Sequence, residues 1–201
     1  MNAADSRTGT APGAGSVLEA AGGIATERYT VPAALLHWVM AALIVATFPL
    51  GLYMVDLPLS PSKLKYYSWH KWIGVTVFLL AVARVAWRFG HRPPQPLPGQ
   101  PRWQVAAAHA THAVLYALLV AVPLSGWLYS SAAGFPTVYL GLVQLPDLVP
   151  KDEGLKDTLK LAHLVLTYAM GGLVLLHVLA ALKHALVDRD GTLSRMSLRP
   201  R

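Results

Sequence analysis

The sequence predicts an all-α integral membrane protein folded as a four-helix up-and-down bundle. Hydrophobic residues make up 54% of the 201 residues and charged residues only 13%, which is outside the range of ordinary soluble domains. A hydrocarbon core about 30 Å thick needs roughly 20 apolar residues per helix. Segments 32–55 and 105–131 contain no charged residue, and neither does 161–182. Segment 72–87 is apolar except for Arg84.

These stretches divide the chain into one membrane domain with a tail at each end. We expect helices over about residues 32–55, 68–90, 105–131 and 158–187. They form a transmembrane domain over residues 28–190. Residues 1–27 are rich in Ala, Gly, Ser and Thr and lack the basic start and apolar core of a signal peptide, so we expect a disordered tail. Residues 191–201 are expected to form a basic C-terminal tail.

The distribution of positive charge predicts the orientation. If the N-terminus is inside, eleven of the seventeen Lys and Arg residues lie in the inner segments and six in the outer loops. The positive-inside rule therefore predicts that both termini are cytoplasmic. The same rule accounts for the net charge of +7 without a nucleic-acid partner.

The chain contains no cysteine. This excludes disulfides, thiolate-bound iron–sulfur clusters and covalent attachment of haem through a Cys-x-x-Cys-His motif. Any haem must therefore be held without a covalent link to the chain.

Four of the eight histidines are expected at matched depths on three helices. Side chains of this kind inside a membrane are functional candidates by default. Counting along antiparallel helices at about 1.5 Å per residue places His70 and His163 near the outer surface. The same count places His37 and His177 near the inner surface. Two layers of paired imidazoles result, and each layer can supply the axial ligands of a haem.

The spacing along the helices supports this arrangement. His163 and His177 are 14 residues apart, which is about 21 Å of rise and only about 40° short of whole turns. One helix can therefore present ligands to two haems stacked across the membrane. Arg84 follows His70 by the same 14 residues, so it lies at the depth of the inner haem, where we assign it to a haem propionate.

Depth alone leaves alternatives open. His109 and His112 open the third predicted helix on the inner side, so either could replace His37 as an inner ligand. His91 and His184 are expected to be solvated surface residues. Histidines in a membrane can also hydrogen-bond between helices, or bind a proton or a divalent metal, without any haem.

Several motifs along the chain resemble the bacterial cytochrome b561 family over roughly residues 28–197. The residues that carry the resemblance are Tyr29-Thr30, Leu36-His37-Trp38, Trp69-His70-Lys71-Trp72-Ile73-Gly74, Arg84 with Arg88, Ala108-His109-Ala110-Thr111-His112, Pro123-Leu124-Ser125-Gly126-Trp127, Leu161-Ala162-His163, Leu176-His177 and Asp190-Gly191-Thr192-Leu193-Ser194-Arg195-Met196.

The resemblance implies a cytochrome of the bacterial cytoplasmic membrane with two haem b groups, which exchanges electrons with the quinone pool. It implies that His37 and His177 ligate one haem iron and that His70 and His163 ligate the other. It thereby favours His37 over His109 and His112 as the inner ligand. The latter two, with Lys183, are expected only as contacts of quinone or of a propionate.

The expected function is electron transfer by six-coordinate haem iron, to or from ubiquinone or another membrane quinone. An anionic donor such as superoxide could be steered to the outer haem by the outer lysines, which would make the protein a superoxide:quinone oxidoreductase. The outer lysines are Lys63, Lys65, Lys71, Lys151, Lys156 and Lys160.

Two other functions stay open from sequence. The chain could be the membrane-anchor cytochrome subunit of a larger complex, such as a hydrogenase or formate dehydrogenase, that receives electrons from a redox protein partner. It could also be a haem-free transporter or metal-handling protein. The lack of Asp and Glu inside the four segments and the lack of repeat symmetry argue against a transporter.

Overall fold

A computed structural model describes residues 27–198, so the tail predicted over residues 1–27 lies outside the described residues except for Glu27. Four long helices follow one another along the chain: α1 (Val31–Val55), α2 (Pro61–Gly90), α3 (Arg102–Ala132) and α4 (Glu153–Lys183). Each is long and apolar enough to cross a membrane. The prediction of an all-α four-helix membrane bundle is confirmed.

Consecutive helices pack against each other in the up-and-down order. The packing is most extensive between α3 and α4, followed by α1 with α2 and α2 with α3. Among the described residues, α1 and α4 pack together less extensively than these neighbours. Helix packing is therefore least close where α4 faces α1 and α2. The paired histidines lie in this region.

Two helices begin earlier than hydropathy indicates. Helix α2 starts at Pro61 rather than near residue 68, and α4 starts at Glu153 rather than near residue 158. Each start is capped, because the side chains of Ser60 and Asp152 accept hydrogen bonds from backbone N–H groups three residues ahead. These first turns carry lysines and acidic residues, so they extend the helices beyond the apolar span.

Small and flexible side chains fill the covered interior, while the outward faces are apolar. The buried hydrophobic residues of the described chain are Ala34, Met40, Met54, Val77, Ala81, Leu118, Ala132 and Met170. Alanines let helix backbones approach closely, and methionine adapts to irregular gaps. Many Leu and Val side chains of the four helices are exposed, which is expected of helices surrounded by lipid.

A short β-hairpin covers one end of the bundle. Strands β1 (Val138–Tyr139) and β2 (Val143–Gln144) are antiparallel, and the first two of the three residues between them, Leu140 and Gly141, have φ of 54° and 73°. The indole of Trp72 donates to the carbonyl of Val138 at 2.7 Å. The hairpin is thus fixed to α2, and we call this end of the bundle the hairpin end.

The C-terminal segment covers the opposite end, which we call the termini end. A 3₁₀ turn over Leu193–Met196 lies beside the start of α1. The guanidinium of Arg195 donates to the carbonyls of Glu27 at 2.8 Å and Gln95 at 2.7 Å. The indole of Trp38 donates to the carbonyl of Met196 at 2.9 Å. Residues 193–196 are therefore ordered against the bundle, although the sequence indicated only a basic tail.

Helix α4 ends in a π-helical turn over His184–Asp188. The Nδ1 atom of His184 lies 2.7 Å from a carboxylate oxygen of Asp190 and 3.1 Å from one of Asp188. His184 was expected to be a solvated surface residue, and instead only 20% of its side chain is exposed. The two carboxylates hold it because the widened turn brings them to the same side of the helix.

Candidate functional site

The structure brings His70 of α2 and His163 of α4 together near the hairpin end. Their ring centroids are 6.2 Å apart and the rings are perpendicular, at 90°. The Nδ1–H group of His163 donates to the carbonyl of Val122 at 3.1 Å. A hydrogen bond of 3.1 Å joins Nδ1 of His70 to Oγ1 of Thr47. We call His70 and His163 the His70 layer.

The hydrogen bond to the Val122 carbonyl decides which nitrogen of the His163 ring can bind a metal. A histidine whose Nδ1–H is held by a carbonyl carries its lone pair on Nε2, which is then the metal-binding atom. The hydroxyl of Ser125 also lies 3.1 Å from Nδ1 of His163 and donates to the carbonyl of Val122 at 2.8 Å. The imidazole of His163 is therefore oriented by two groups of α3.

Two glycines make room for the same imidazoles. A Cβ added at Gly126 would lie 2.9 Å from Cε1 of His163, and one added at Gly51 would lie 3.0 Å from Cε1 of His70. Contacts below about 3 Å force one of the two groups to move. A side chain at Gly126 would force the His163 ring to move, and one at Gly51 would crowd the His70 ring.

A second cluster lies near the termini end. His37 of α1 and His177 of α4 have ring centroids 6.2 Å apart at an angle of 79°. His112 of α3 lies closer to His177, with centroids 5.4 Å apart. In the part of the chain that the structure describes, the ring nitrogens of these three histidines have no hydrogen-bond partner. We call His37 and His177, with the adjacent His112, the His37 layer.

Arg84 and His109 complete the set of residues predicted from sequence. Arg84 donates from Nη1 to the carbonyl of Ala33 at 2.6 Å and from Nε to the hydroxyl of Tyr116 at 3.1 Å. It therefore lies beside the His37 layer, as its spacing from His70 predicted. His109 is exposed on α3, one turn before His112.

An aromatic pair lies between the two layers. Phe48 of α1 packs edge-to-face on Tyr168 of α4, with centroids 6.1 Å apart. A Cβ added at Gly171 would lie 2.8 Å from Cε2 of Phe48. Gly171 falls between His163 and His177 on α4, so Phe48 occupies the space that separates the two layers.

The donor set fits haem iron. Metal–imidazole bonds are about 2 Å long, so one metal bound to a nitrogen of each of two facing rings separates their centroids by roughly 6 Å. Both layers show a pair at 6.2 Å. Two neutral imidazoles alone leave a metal ion under-coordinated, whereas a porphyrin supplies four further nitrogens and needs only two axial ligands.

Comparison with known proteins decides the family. The sequence profile of the family described as prokaryotic cytochrome b561 matches residues 28–197. The chain belongs to this family. It is therefore a membrane electron-transfer protein that binds b-type haem, and it crosses the bacterial inner membrane several times.

Three relatives align with most of the chain. "Cytochrome b561 homolog 2" of Escherichia coli K12 is 36% identical over 178 residues, covering 85% of this chain and 91% of its own length. "Probable superoxide oxidase CybB" of Yersinia pestis is 30% identical over 166 residues, covering 80% and 90%. "Cytochrome b561 homolog 1" of Escherichia coli K12 is 29% identical over 181 residues, covering 85% and 97%.

Several residues of the cytochrome's site were not found from sequence. Thr47, Val122 and Gly51 contact the histidine rings from helices α1 and α3. Ser125 and Gly126 were noted only as part of a family motif. A glycine inside an apolar helix was the available signal, but Gly74 and Gly172 carry the same signal and have nothing within 4 Å of an added Cβ.

Proposed function

We propose that the protein holds two haem b groups, one in each layer, and transfers electrons through them to or from a membrane quinone. The observation that carries this proposal is the pair of equal separations, because His70 and His163 are 6.2 Å apart and so are His37 and His177. A single metal site would explain one such pair. Two pairs, joined by one helix, support two haems.

Within the His37 layer, His37 is the better second ligand. Its centroid lies 6.2 Å from that of His177, the same separation as in the His70 layer. The centroid of His112 lies at 5.4 Å, which is short for two rings on opposite sides of one metal. We therefore propose His37 and His177 as axial ligands, with His112, and more remotely His109, as a contact of quinone or of a propionate.

Arg84 is proposed to bind a propionate of the haem in the His37 layer. Its Nη1 and Nε atoms already donate to Ala33 and Tyr116. Among the described residues, Nη2 has no hydrogen-bond partner, so it is available to a carboxylate. A guanidinium fixed by two hydrogen bonds loses little further freedom when it binds an anion.

When bound, haem iron changes between the ferrous and ferric states and so carries one electron at a time. The residues of this chain hold the axial imidazoles in fixed orientations and exclude water with the apolar helices around them. Phe48 lies between the layers, against Gly171 and the ring of Tyr168. These features suit fast electron transfer with little rearrangement of the protein.

We propose superoxide as the electron donor and quinone as the acceptor. Overall, two superoxide anions lose one electron each and become O₂, and one quinone gains two electrons and two protons to become quinol. The name of the Yersinia relative supports the donor. We further propose that both termini are cytoplasmic. In this orientation the hairpin end faces outward and would receive the superoxide.

Charge at the hairpin end supports this choice of donor. Lys63 and Lys71 donate to backbone carbonyls, and Lys65 lies over the ring of Trp69 at 4.8 Å. None of the three forms an ion pair within 4.0 Å among the described residues, although the carboxylate of Asp147 acts on Lys71 from a greater distance. Lys156, by contrast, pairs with Glu153. The unneutralised lysines attract an anionic donor.

The haem assignment is tested by haem content. Purified wild-type protein should contain two haem b per chain, measured by pyridine haemochrome and by the dithionite-reduced minus oxidised spectrum. The variants His163→Ala and His177→Ala should each retain one, while His112→Ala should retain both. Absence of haem from the wild type would contradict the proposal and favour a transporter or metal-handling protein.

The donor is tested by kinetics. Lys65→Gln and Lys71→Gln together should slow haem reduction by superoxide at low salt, and the difference should shrink as salt screens the charges. Arg102→Gln, at the termini end, is the matched control and should leave the rate unchanged. Equal rates in all three proteins would rule out steering by the hairpin-end lysines. A protein that co-purifies in stoichiometric amount and reduces the haem faster than superoxide does would favour a larger complex.

A further inference from the structure

Four arginines line one cleft at the termini end of the bundle. The cleft lies between the start of α1 and the end of α2, and Tyr116 of α3 forms its floor. The four are Arg28, Arg84, Arg88 and Arg92. Three of them follow one another at intervals of four residues along α2 and just past its end. Arg84 and Arg88 therefore share one face of α2, and Arg92 follows two residues past the end of the helix.

These positive charges lack counter-charges in the structure. Among residues 27–198, Arg28, Arg88 and Arg92 have no carboxylate oxygen within 4.0 Å. The nearby carboxylate of Glu27 accepts from the backbone N–H of Gln95 at 3.4 Å instead. Arg84 and Arg88 are like charges four residues apart on α2, a spacing that destabilises a helix, and Arg92 and Arg28 add positive charge to the same cleft, so an anion bound there would be stabilising.

The three outer arginines are also free to bind a ligand. Arg84 is held by Ala33 and Tyr116, deep in the cleft. Arg88 lies over the face of the Tyr116 ring, 5.6 Å from its centroid, with His112 nearby, and has no hydrogen-bond partner among the described residues. Arg28 and Arg92 are exposed. A guanidinium on an aromatic face keeps its N–H groups available for hydrogen bonds to an oxyanion.

Aromatic residues place the cleft at the membrane surface. The ring of Trp87 stacks on His91 with centroids 4.0 Å apart, and its indole donates to Thr30 at 3.0 Å. Tryptophan at a helix end is typical of the headgroup region. The neighbouring Phe89 is 88% exposed, which suits a side chain in contact with acyl chains. The cleft therefore opens where lipid headgroups lie.

We propose that Arg28, Arg88 and Arg92 form a binding site for the phosphate of an anionic phospholipid, such as phosphatidylglycerol or cardiolipin. Arginine binds phosphate oxygens in bidentate geometry, and basic pockets between transmembrane helices are suited to acidic headgroups. The lipid neutralises the like charges on α2 and ties the end of α2 to the segment before α1. This site is independent of the haem assignment, since none of the three arginines is proposed to contact haem.

The test uses delipidated holoprotein in a neutral detergent. Native mass spectrometry would measure the binding of phosphatidylglycerol and of phosphatidylcholine with the same acyl chains, and a parallel titration would use inorganic phosphate. The test variant is Arg28→Gln, Arg88→Gln and Arg92→Gln combined. The matched control replaces Arg102, Arg189 and Lys160, three cationic residues that do not line the cleft, with Gln.

We expect wild type and control to prefer phosphatidylglycerol, and the cleft variant to bind it roughly tenfold or more weakly with unchanged haem content. The proposal would be overturned if wild type bound the two lipids equally. It would also be overturned if the cleft variant and the control variant lost phosphatidylglycerol binding to the same extent. Inorganic phosphate binding as tightly as the lipid would assign the cleft to a soluble anion. A helical, monodisperse cleft variant that has lost one haem would assign the arginines to propionates. If the triple variant does not fold, Arg92→Gln alone provides the same comparison.

Discussion

The two histidine layers are built differently. In the His70 layer, Nδ1 of each imidazole is hydrogen-bonded, and a glycine on a neighbouring helix lies against each ring. In the His37 layer, no ring nitrogen of His37 or His177 has a hydrogen-bond partner among the described residues. A third histidine and an arginine lie there instead. The first layer is oriented by its own neighbours, whereas the second has more freedom.

The difference shows where each layer obtains its rigidity. Hydrogen bonds to the second ring nitrogen fix the tautomer and the orientation of a ligating histidine. The His37 layer lacks these bonds and lies instead beneath the C-terminal segment, which is bound to Trp38, the residue next to His37. We infer that the His70 layer is preformed and that the His37 layer depends on closure of the termini end.

The largest expected effect comes from filling the space beside His163. Gly126→Ala places a methyl group 2.9 Å from Cε1 of the imidazole, so the ring must move away from its position. We expect haem content to fall from two per chain to about one, with the haem of the His37 layer retained. Gly172→Ala, where an added Cβ meets nothing within 4 Å, is the control and should retain both. Full haem content in Gly126→Ala would show that the ring can shift freely.

The next effect comes from removing the hydrogen bonds to Nδ1. Thr47→Val should weaken haem binding in the His70 layer by about 10- to 100-fold, the usual cost of losing such a partner. Ser125→Ala should weaken it less, because the carbonyl of Val122 still accepts from Nδ1–H of His163. The rate of haem transfer to apomyoglobin would measure this weakening, and the midpoint potential of the same haem should shift. The haem of the His37 layer serves as the internal control. If both haems were lost at similar rates, the layers would not differ in preorganisation.

A smaller effect is expected at the termini end. Arg195→Gln removes charge-assisted hydrogen bonds to the carbonyls of Glu27 and Gln95, each worth about 1.5–3 kcal/mol at most. Amide hydrogen exchange should become faster in residues 27–30 and in the C-terminal segment that packs against them. The electron paramagnetic resonance signal of the haem in the His37 layer should broaden. Arg189→Gln, which loses only a local contact with Leu186, should change neither. Unchanged exchange in Arg195→Gln would remove the proposed dependence on closure.

The smallest effect is a dependence on acid pH at the same end. Burial raises the pKa of the Asp190 carboxyl, but hydrogen bonds from Thr192 and His184 outweigh burial and hold that pKa below its ordinary value of 3.8. Because the folded pKa is lowered, the ionised carboxylate stabilises the fold above pH 3.8, and this stability is lost as the pH falls through the folded pKa.

Asp190→Asn should therefore lower the free energy of unfolding at pH 7 by less than about 1 kcal/mol, which appears as a slight decrease in Tm. The Tm difference from wild type should shrink below pH 3.8. Asp157→Asn, an exposed carboxylate at the hairpin end, supplies the baseline for a change of one charge. A Tm difference that stayed constant through this range would contradict the role given to the Asp190 carboxylate.

The sequence predicted depth and helix face better than it predicted neighbours. Counting residues along a helix fixes height and rotation, which is why His70 with His163 and His37 with His177 could be paired. It does not reveal which residue of an adjacent helix faces a given side chain. Thr47 and Gly51 were missed because their role depends on the packing of α1 against α2. Nothing in their local sequence distinguishes them.

The ends of the bundle were the least predictable part. Hydropathy measures the apolar span, so it did not register the polar first turn of α2 at Pro61 or that of α4 at Glu153. The turn at residues 193–196 is short, and its order comes from long-range hydrogen bonds such as that between Trp38 and Met196. Contacts between segments so distant in sequence leave no periodic pattern.

The most direct test of two paired layers is haem content in double variants. His70→Ala and His163→Ala should each retain one haem, and their combination should still retain one, because both residues serve the same iron. His70→Ala with His177→Ala should retain none, since one ligand is lost from each layer. Loss of both haems from the first combination, or retention of one in the second, would contradict the pairing.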